Sequence, residues 1–573
     1  MILQFLVLLL VLLLCSLGPG LVTVRPLRWS PLENLCGAVA VSLILIYLAA
    51  LGVYAVGLPR WAYWTITTLA AVTTIASARD LHRLWRNHHV RRAILATAAF
   101  AAWTMLLLSL VKNYGGGWYG DWYEHYERSL FFLDHWPRDA TFLEGRYTLP
   151  ARPPMMNLLA AHLLAHVNVT GGDRYAFFQA ASMLLSALIV LPCTLVAGLL
   201  VRRGGGRAWL LLAILACNPM LVQNATFSWT RVPCAFYVIL GICFYLRGWH
   251  KRDPGRLIMS VACLAAATAI HYSAVPYALA LAAHYFVVVL RHRPTRTITR
   301  EVVGGLVALT LILGSWLAFS TVAYGPGATF AANSTVTDTA RLTLAENLPK
   351  IARNVYFTLI PHGLRGVPTS MFSRGNTFLG YIRDYWFKIY QANLPLAVGV
   401  AGVIAVPLLT MGQLRAAPPS PRAFWIWLLA FTIPVSIAVH GTEDPWGLAH
   451  IGLQPLIYLG LTLLAAGFGA LSRRLRWVVI VGLTIDFLQG VLLHFALQAQ
   501  PLHLDMTDPD RHAQSGLGLM PGLNYELKVA SGVSFWADHI HVPATALIGA
   551  TAVGFIIWIA IVIRAARSPH ARG

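Results

Sequence analysis

The sequence predicts an all-α protein, a polytopic bundle of about 13–15 transmembrane helices. Two observations predict it. Hydrophobic residues fill 57% of the 573 positions and charged residues only 11%, too few to cover a water-soluble surface of this size. Apolar runs long enough to cross a bilayer also recur, at 36–57, 93–111, 177–200, 231–246, 302–323, 391–411, 448–468, 477–496 and 542–563. Inside lipid the backbone must satisfy its own hydrogen bonds, so these runs are helices.

The loops between the runs sort by charge. Short basic loops lie at 79–92, 202–207, 247–256, 291–300, 412–422, 472–476 and 564–573. They carry clusters such as Arg202, Arg203 and Arg207, or Arg473, Arg474 and Arg476, which the positive-inside rule places in the cytoplasm. The segments 112–173, 325–388 and 497–541 then fall outside, with short outer turns near 224–230, 271–274 and 440–447. Alternation gives 15 helices, with the N-terminus outside and the C-terminus inside. The stretch 257–290 is basic at both ends, so it enters and returns as two short helices or a re-entrant hairpin. Residues 1–22 lack a positive leading segment and a clear cleavage site, and read as a first membrane helix. Four parts follow: N-terminal helices 1–78, a core 79–324 that includes the outer loop 112–173, a second outer loop 325–390, and C-terminal helices 391–573 with the outer loop 497–541. No soluble domain of useful size is expected at either end.

The net charge of +21, from 43 basic and 22 acidic residues, is accounted for by loops that fix topology, and implies no nucleic-acid partner. The seven cysteines lie in or beside apolar runs and have neither zinc-site nor disulfide-framework spacing. Of the 22 acids, 17 fall in outer loops; Glu33, Asp80, Asp253 and Glu301 lie near the cytoplasm and Asp486 within a span. A pore or scaffold does not need that asymmetry, whereas an enzyme working at the outer face can use it.

The first outer loop reads KNYGGGWYGDWYEHYERSLFFLDHW. Its glycines break the preceding helix, and a new helical pattern starts near Asp121, a candidate cap. On helical spacing Asp121, Glu124, His125 and Arg128 share one face, while Trp122, Tyr126, Leu130 and Leu133 share another. This is the pattern of an amphipathic helix at the membrane surface. A carboxylate beside basic groups stays ionised and can accept a proton from an attacking hydroxyl. A merely solvated polar face gives the same spacing.

YGDWYEHYER, the downstream ARPPMMNLL, and NPMLVQNATFSWTRVPCAFYVILGICFYLRG followed by ATAIHYSAVPYAL together resemble the GT-C membrane glycosyltransferases. The resemblance is to the protein O-mannosyltransferase and lipid A aminoarabinose transferase group and their bacterial relatives of glycosyltransferase family 39 type. It covers about 93–300 in some detail and the rest by topology. It implies a GT-C-like architecture with the active site facing the extracytoplasmic side of the plasma (inner) membrane. It also implies a polyprenyl-phosphate-linked sugar as donor, and a glycan, lipid or protein as acceptor. Asp121 matches the acceptor-side aspartate, as base or orienting group, with Glu124 second and Glu127 third. Arg152, Arg231 and His271 are the implied cations for the donor phosphate. His125, Glu127, Arg353, His362 and Lys388 are possible additional substrate contacts, as is Arg365. Two features depart from the family: the acids are spread over Asp121, Glu124 and Glu127 rather than adjacent, and a large soluble C-terminal domain is missing.

The pattern names no certain cofactor and leaves a divalent metal possible. His440, Glu443, Asp444 and His450, or Asp505, Asp508 and Asp510, fit either hydrogen-bonded outer turns or a divalent metal. Asp486 fits either a functional group within the membrane or a helix-packing hydrogen bond. Asn168, Asn224 and Asn333 begin Asn-x-Thr-type triplets that would fall outside. Two other readings compete: a secondary transporter or lipid flippase, and a polysaccharide polymerase or ligase. Transporters concentrate charge at the midplane on broken helices in related halves. Polymerases do not obviously need the DWYEHYER helix.

Overall fold

The computed structural model describes residues 2–111, 119–142, 147–169, 172–200, 208–331, 343–361, 364–365, 382, 385–386, 389–390, 393–438, 452–499 and 543–567. These are almost all helical. In chain order the helices are α1 (Ile2–Val24), α2 (Pro31–Val56), α3 (Ala62–Ala76), α4 (Ala78–Arg86), α5 (His88–Leu110) and α6 (Tyr119–Leu133). A two-residue hairpin follows, β1 (Thr141–Phe142) antiparallel to β2 (Tyr147–Thr148), with Thr141 opposite Thr148 and Phe142 opposite Tyr147. Next come α7 (Met155–Leu164), α8 (Gly172–Ala187), α9 (Val190–Leu200), α10 (Ala208–Cys217), α11 (Pro219–Thr226), α12 (Arg231–Lys251), α13 (Pro254–Ile270) and α14 (Val275–His284). The remaining helices described are α15 (Thr295–Leu309), α16 (Ser315–Ala331), α17 (Leu344–Leu359), α18 (Leu394–Val398), α19 (Val400–Ala416), α20 (Pro419–Ala438), α21 (Gln454–Gly467), α22 (Arg473–Phe487), α23 (His494–Gln498) and α24 (Ala544–Arg567).

Ten helical segments among the described residues are long and apolar enough to cross a membrane, or eleven if α10 and α11, bent by 77° at their junction, form one span. The protein is therefore an integral membrane protein. Five shorter apolar helices among the described residues, Ala62–Ala76, Met155–Leu164, Pro254–Ile270, Val400–Ala416 and Gln454–Ala470, stand beside those segments, against the 15 crossings counted in the sequence. One of them, α13, runs between the same two ends of the bundle as α12. Its start carries Arg256, paired with Glu33 beside Arg247 of α12, and its end delivers His271 next to Arg231. The stretch 257–290 is thus two helices, the second continuing from Tyr272 to His292.

The arginine-rich end is tied together by ion pairs, those on Glu33 buried. Glu33 is fully buried and accepts from Arg247 at 2.8 Å and Arg256 at 2.8 Å, while it also closes the capping box of α2 with Ser30. Asp80 accepts from Arg25 at 3.1 Å, which joins the end of α1 to α4. The basic segments 79–92 and 247–256 each carry one of these pairs. The helices pack closely where side chains vanish: a Cβ on Gly20 would lie 2.0 Å from the Ala38 carbonyl oxygen.

Asp486 answers one sequence question. It is buried in the span Arg473–Gln498 and accepts the Val400 N–H at 2.7 Å and the Ala401 N–H at 3.2 Å. Those are first-turn amides of α19, which restarts after a break at Gly399. Asn218 donates to the carbonyls of Ala397 and Val398 on the other side of that break, at 3.0 and 3.2 Å. Within the described residues Asp486 is a helix-packing group, the second of the two sequence readings.

Candidate active site

Helix α6 and the hairpin fold against the end of the bundle opposite the Glu33 cluster. Helix α6 begins at Tyr119, so Asp121 lies in its first turn instead of capping it; the Asp121 side chain lies outside the described residues. An acid there still favours the positive end of the helix dipole. Its polar face is not solvated. Glu124, His125, Glu127, Arg128 and Ser129 are all buried, which removes the solvated-face alternative for this stretch. Tyr126 on the other side packs against Tyr175 and Phe178 of α8.

Arg128 is the fixed point of the loop. Its guanidinium donates to Glu124 Oε1 at 2.7 Å, to the Leu149 carbonyl at 2.7 Å and to the Thr148 carbonyl at 3.0 Å, and it lies 4.5 Å above the Phe142 ring. One side chain thus joins α6 to both strands of the hairpin and to the residues leading to Arg152. Arg152 also approaches Glu124 Oε1, at 3.5 Å, with the Tyr147 ring 4.9 Å away. Burial raises the Glu124 carboxyl, but the charges of Arg128, Arg152 and His125 and the Arg128 hydrogen bond outweigh it and hold the group below the usual carboxylate range. Glu124 Oε2 is buried without a hydrogen-bond partner among the described residues.

Beyond Arg152 opens a cavity lined by His125, Arg152, Pro153, Trp229, Thr230, Arg231, Ile270 and His271. It offers about 40 Å³, room for one small group rather than a whole sugar. Four chain segments converge there. Two of them are helix beginnings, α7 just after Pro153 and α12 at Arg231, so two positive dipole ends meet two guanidiniums. The far end of α7 is capped by Arg60, which donates to the carbonyls of Leu164, Ala165 and Val167 at 3.2–3.3 Å. Arg231 stacks 4.0 Å above the Trp229 ring. Among the described residues no carboxylate lines it.

The structure resembles ArnT from Cupriavidus metallidurans bound to undecaprenyl phosphate, with 14% identity, 78% of this chain and 77% of that chain covered, and a TM-score of 0.41. No protein-family profile and no curated protein matches the chain.

The two histidines of the cavity present opposite groups. His271 Nδ1 accepts the Ser273 backbone N–H at 3.1 Å, which leaves the proton of the neutral ring on Nε2. His125 Nδ1 lies 3.3 Å from Asn157 Oδ1 and donates to it when that amide presents its oxygen. Burial pushes the His125 imidazole down to about 4, with Glu124 raising it and Arg152 and Arg128 lowering it. Burial, followed by the charges of Arg231 and Arg152, lowers His271 well below the usual histidine range. Both rings are neutral near pH 7, so the positive charge on the wall belongs to arginine.

Of the residues read from the sequence, Arg152, Arg231, His271 and His125 are brought to one cavity. Glu124 lies behind it as the partner of Arg152. Glu127 is buried on α6 but does not line it, and Arg353 is exposed on α17 away from it. Arg365 lies over Phe357, its guanidinium 4.8 Å from the ring centre. His362, Lys388, His440, Glu443, Asp444, His450, Asp505, Asp508, Asp510 and Asn333 lie outside the described residues. Among the described residues no three of His, Cys, Asp and Glu gather where they could hold a metal ion. Asn168 is exposed, whereas Asn224 is fully buried with its amide on the Met220 carbonyl, closed to glycosylation. Asn157 and Thr230 were not singled out in the sequence. The signal for Asn157 was an amide inside the otherwise apolar MMNLLAAHLL, and for Thr230 its place directly before Arg231.

Proposed function

We propose that this chain is a membrane glycosyltransferase that moves a sugar from a polyprenyl-phosphate donor to an acceptor hydroxyl at the extracytoplasmic face. The observation that carries the reading is the cavity wall. Arg152 and Arg231, two helix beginnings and the Nε2–H of His271 converge where no carboxylate of the described residues lines the space. That set recognises a small multivalent anion, and arginine forks suit phosphate oxygens. Its place at the opposite end of α12 from Arg247, about 24 Å along the helix, suits a lipid phosphate at one membrane face.

In this reading Asp121, one helical turn before His125, accepts the proton of the acceptor hydroxyl. The hydroxyl oxygen bonds to the anomeric carbon as the bond from that carbon to the phosphate oxygen breaks. The charge left on the polyprenyl phosphate is received by Arg152, Arg231 and His271. Glu124, ionised and shared between two arginines, orients Arg152, so the base role falls to Asp121.

The test is reconstitution with polyprenyl-phosphate sugars, following sugar release by wild type, Asp121→Asn and Arg231→Ala. Turnover that survives Asp121→Asn intact removes the base role. Wild-type protein that neither turns over any donor nor binds undecaprenyl phosphate removes the glycosyltransferase reading and favours a transporter.

A further inference from the structure

Thr230 stands where a helix usually keeps its own cap. It directly precedes Arg231, the first residue of α12, and a threonine there ordinarily accepts the N–H of the second or third helical residue. No such bond forms. The third position is Pro233, which has no N–H to give. The Thr230 backbone is also helical, with φ −78° and ψ −6°, where a capping residue is normally extended. Asn218, which opens α11, shows the usual case: its ψ is 119° and its side chain accepts the Leu221 N–H at 2.9 Å.

A buried threonine can instead return its hydroxyl to the carbonyl four residues back. Thr226, one turn earlier in the chain, donates in this way to Val222 at 2.8 Å, and Thr268 and Thr462 do the same at 2.9 and 2.7 Å. The Thr230 hydroxyl makes neither kind of bond, nor one to any other described residue. Yet Thr230 is only 2% exposed, and it lines the cavity with Arg152, Arg231 and His271. Folded proteins keep few buried polar groups unmatched. A hydroxyl beside the positive end of α12 and two guanidiniums is suited to an ionised oxygen, which accepts and cannot donate.

Resting on the glycosyltransferase reading, we infer that Thr230 is a ligand of the donor phosphate, its hydroxyl donating to a phosphate oxygen beside Arg231. Pro233 has a part in this, because it denies the hydroxyl an amide in its own helix and leaves it to the ligand. The arginines supply charge, and Thr230 supplies a short neutral donor that fixes where one oxygen sits.

The experiment compares wild type, Thr230→Val, Thr230→Ala and Thr230→Ser in detergent, with undecaprenyl phosphate as the probe. Its Kd is measured, together with the melting temperature of each protein with and without it. Thr230→Val and Thr230→Ala are expected to weaken binding about 10- to 100-fold, the loss of one hydrogen bond to a charged group. Thr230→Ser keeps the hydroxyl and should bind close to wild type. Without the lipid all four proteins should melt together, because no helix cap is lost. With it, the rise in melting temperature should shrink in Thr230→Val and Thr230→Ala alone. Thr230→Ala adds no atom to the site, so it remains informative if Thr230→Val fails to fold. Wild-type affinity in Thr230→Ala, Thr230→Ser binding as weakly as Thr230→Ala, or a loss of affinity seen only with a fall in the lipid-free melting temperature overturns the inference while the glycosyltransferase reading stands. Wild-type protein that does not bind undecaprenyl phosphate overturns both.

Discussion

Arg128 and Glu124 form a buried ion pair one helical turn apart, 2.7 Å between Nε and Oε1, with both side chains 1% exposed. The pair sits within α6 rather than between spans, and the remaining Arg128 donors go to the backbone just before Arg152. A short local interaction therefore sets the position of a cavity arginine.

Breaking that pair from either side leaves an uncompensated buried charge. Arg128→Met and Glu124→Leu are each expected to cost about 3–5 kcal/mol. Replacing both with apolar residues should cost less than the sum of the two. Thermal unfolding in detergent, run as a double-mutant cycle, measures this. Additive losses would show that the two groups do not act as a pair.

Arg128→Lys keeps the charge but loses the fork that reaches Thr148 and Leu149. It is expected to weaken undecaprenyl phosphate binding through Arg152. Its effect should largely disappear in an Arg152→Ala background, as read by a binding titration of the four proteins. An undiminished effect in that background would mean that Arg128 does not act through Arg152.

His125 titrates at about 4 in the folded chain against an ordinary value of 6.5, so the unfolded chain binds the extra proton first on acidification. Its contribution is intact above about pH 6.5 and is lost as pH falls toward 4, by at most about 1.4 kcal/mol per pH unit. Glu124 is held below its ordinary 4.5, so its contribution is present above that value and lost as pH falls further. Melting temperatures from pH 7 to 4 should therefore fall in wild type and fall less in His125→Gln. Anion binding, resting on arginine, should change little from pH 8 to 6.

The Asp486 cap predicts a different outcome. Gly399 has φ +86°, and a Cβ there would lie 2.7 Å from Asp486 Oδ2. Gly399→Ala is expected to destabilise by about 1–2 kcal/mol from backbone strain alone, and more from the clash. Asp486→Ala leaves the Val400 and Ala401 amides unmatched at about 1–3 kcal/mol each. Protein that remains folded should keep its affinity for undecaprenyl phosphate. Selective loss of that affinity at full stability would return Asp486 to the functional candidates.

Much of this was legible in the chain itself. Lipid admits only helices, so the apolar runs became α2, α5, α12 and α24 within a few residues of where hydropathy puts them. Arg152, Arg231 and His271 were grouped in the sequence as basic residues near helix ends, and the structure brings them to one cavity. Two kinds of feature were not legible. The break at Gly399 occurs inside apolar sequence and depends on a side chain from elsewhere, the Asp486 carboxylate that caps α19, whereas the bend before α11 is local, with Asn218 accepting the Leu221 N–H and Pro219 following it. The polar face of α6 reads the same whether it meets water or protein, and only packing decides that.

By itself the sequence determined a helical membrane protein with an arginine-rich end and an acid-rich one, because hydropathy and loop charge are properties of local composition. Tertiary structure decided that four residues separated by up to 146 positions, His125 to His271, wall one cavity. It also decided that Glu124 stands behind that wall as a partner of arginine. Such choices rest on which helix ends meet and on what each buried charge finds beside it, and local composition does not encode either.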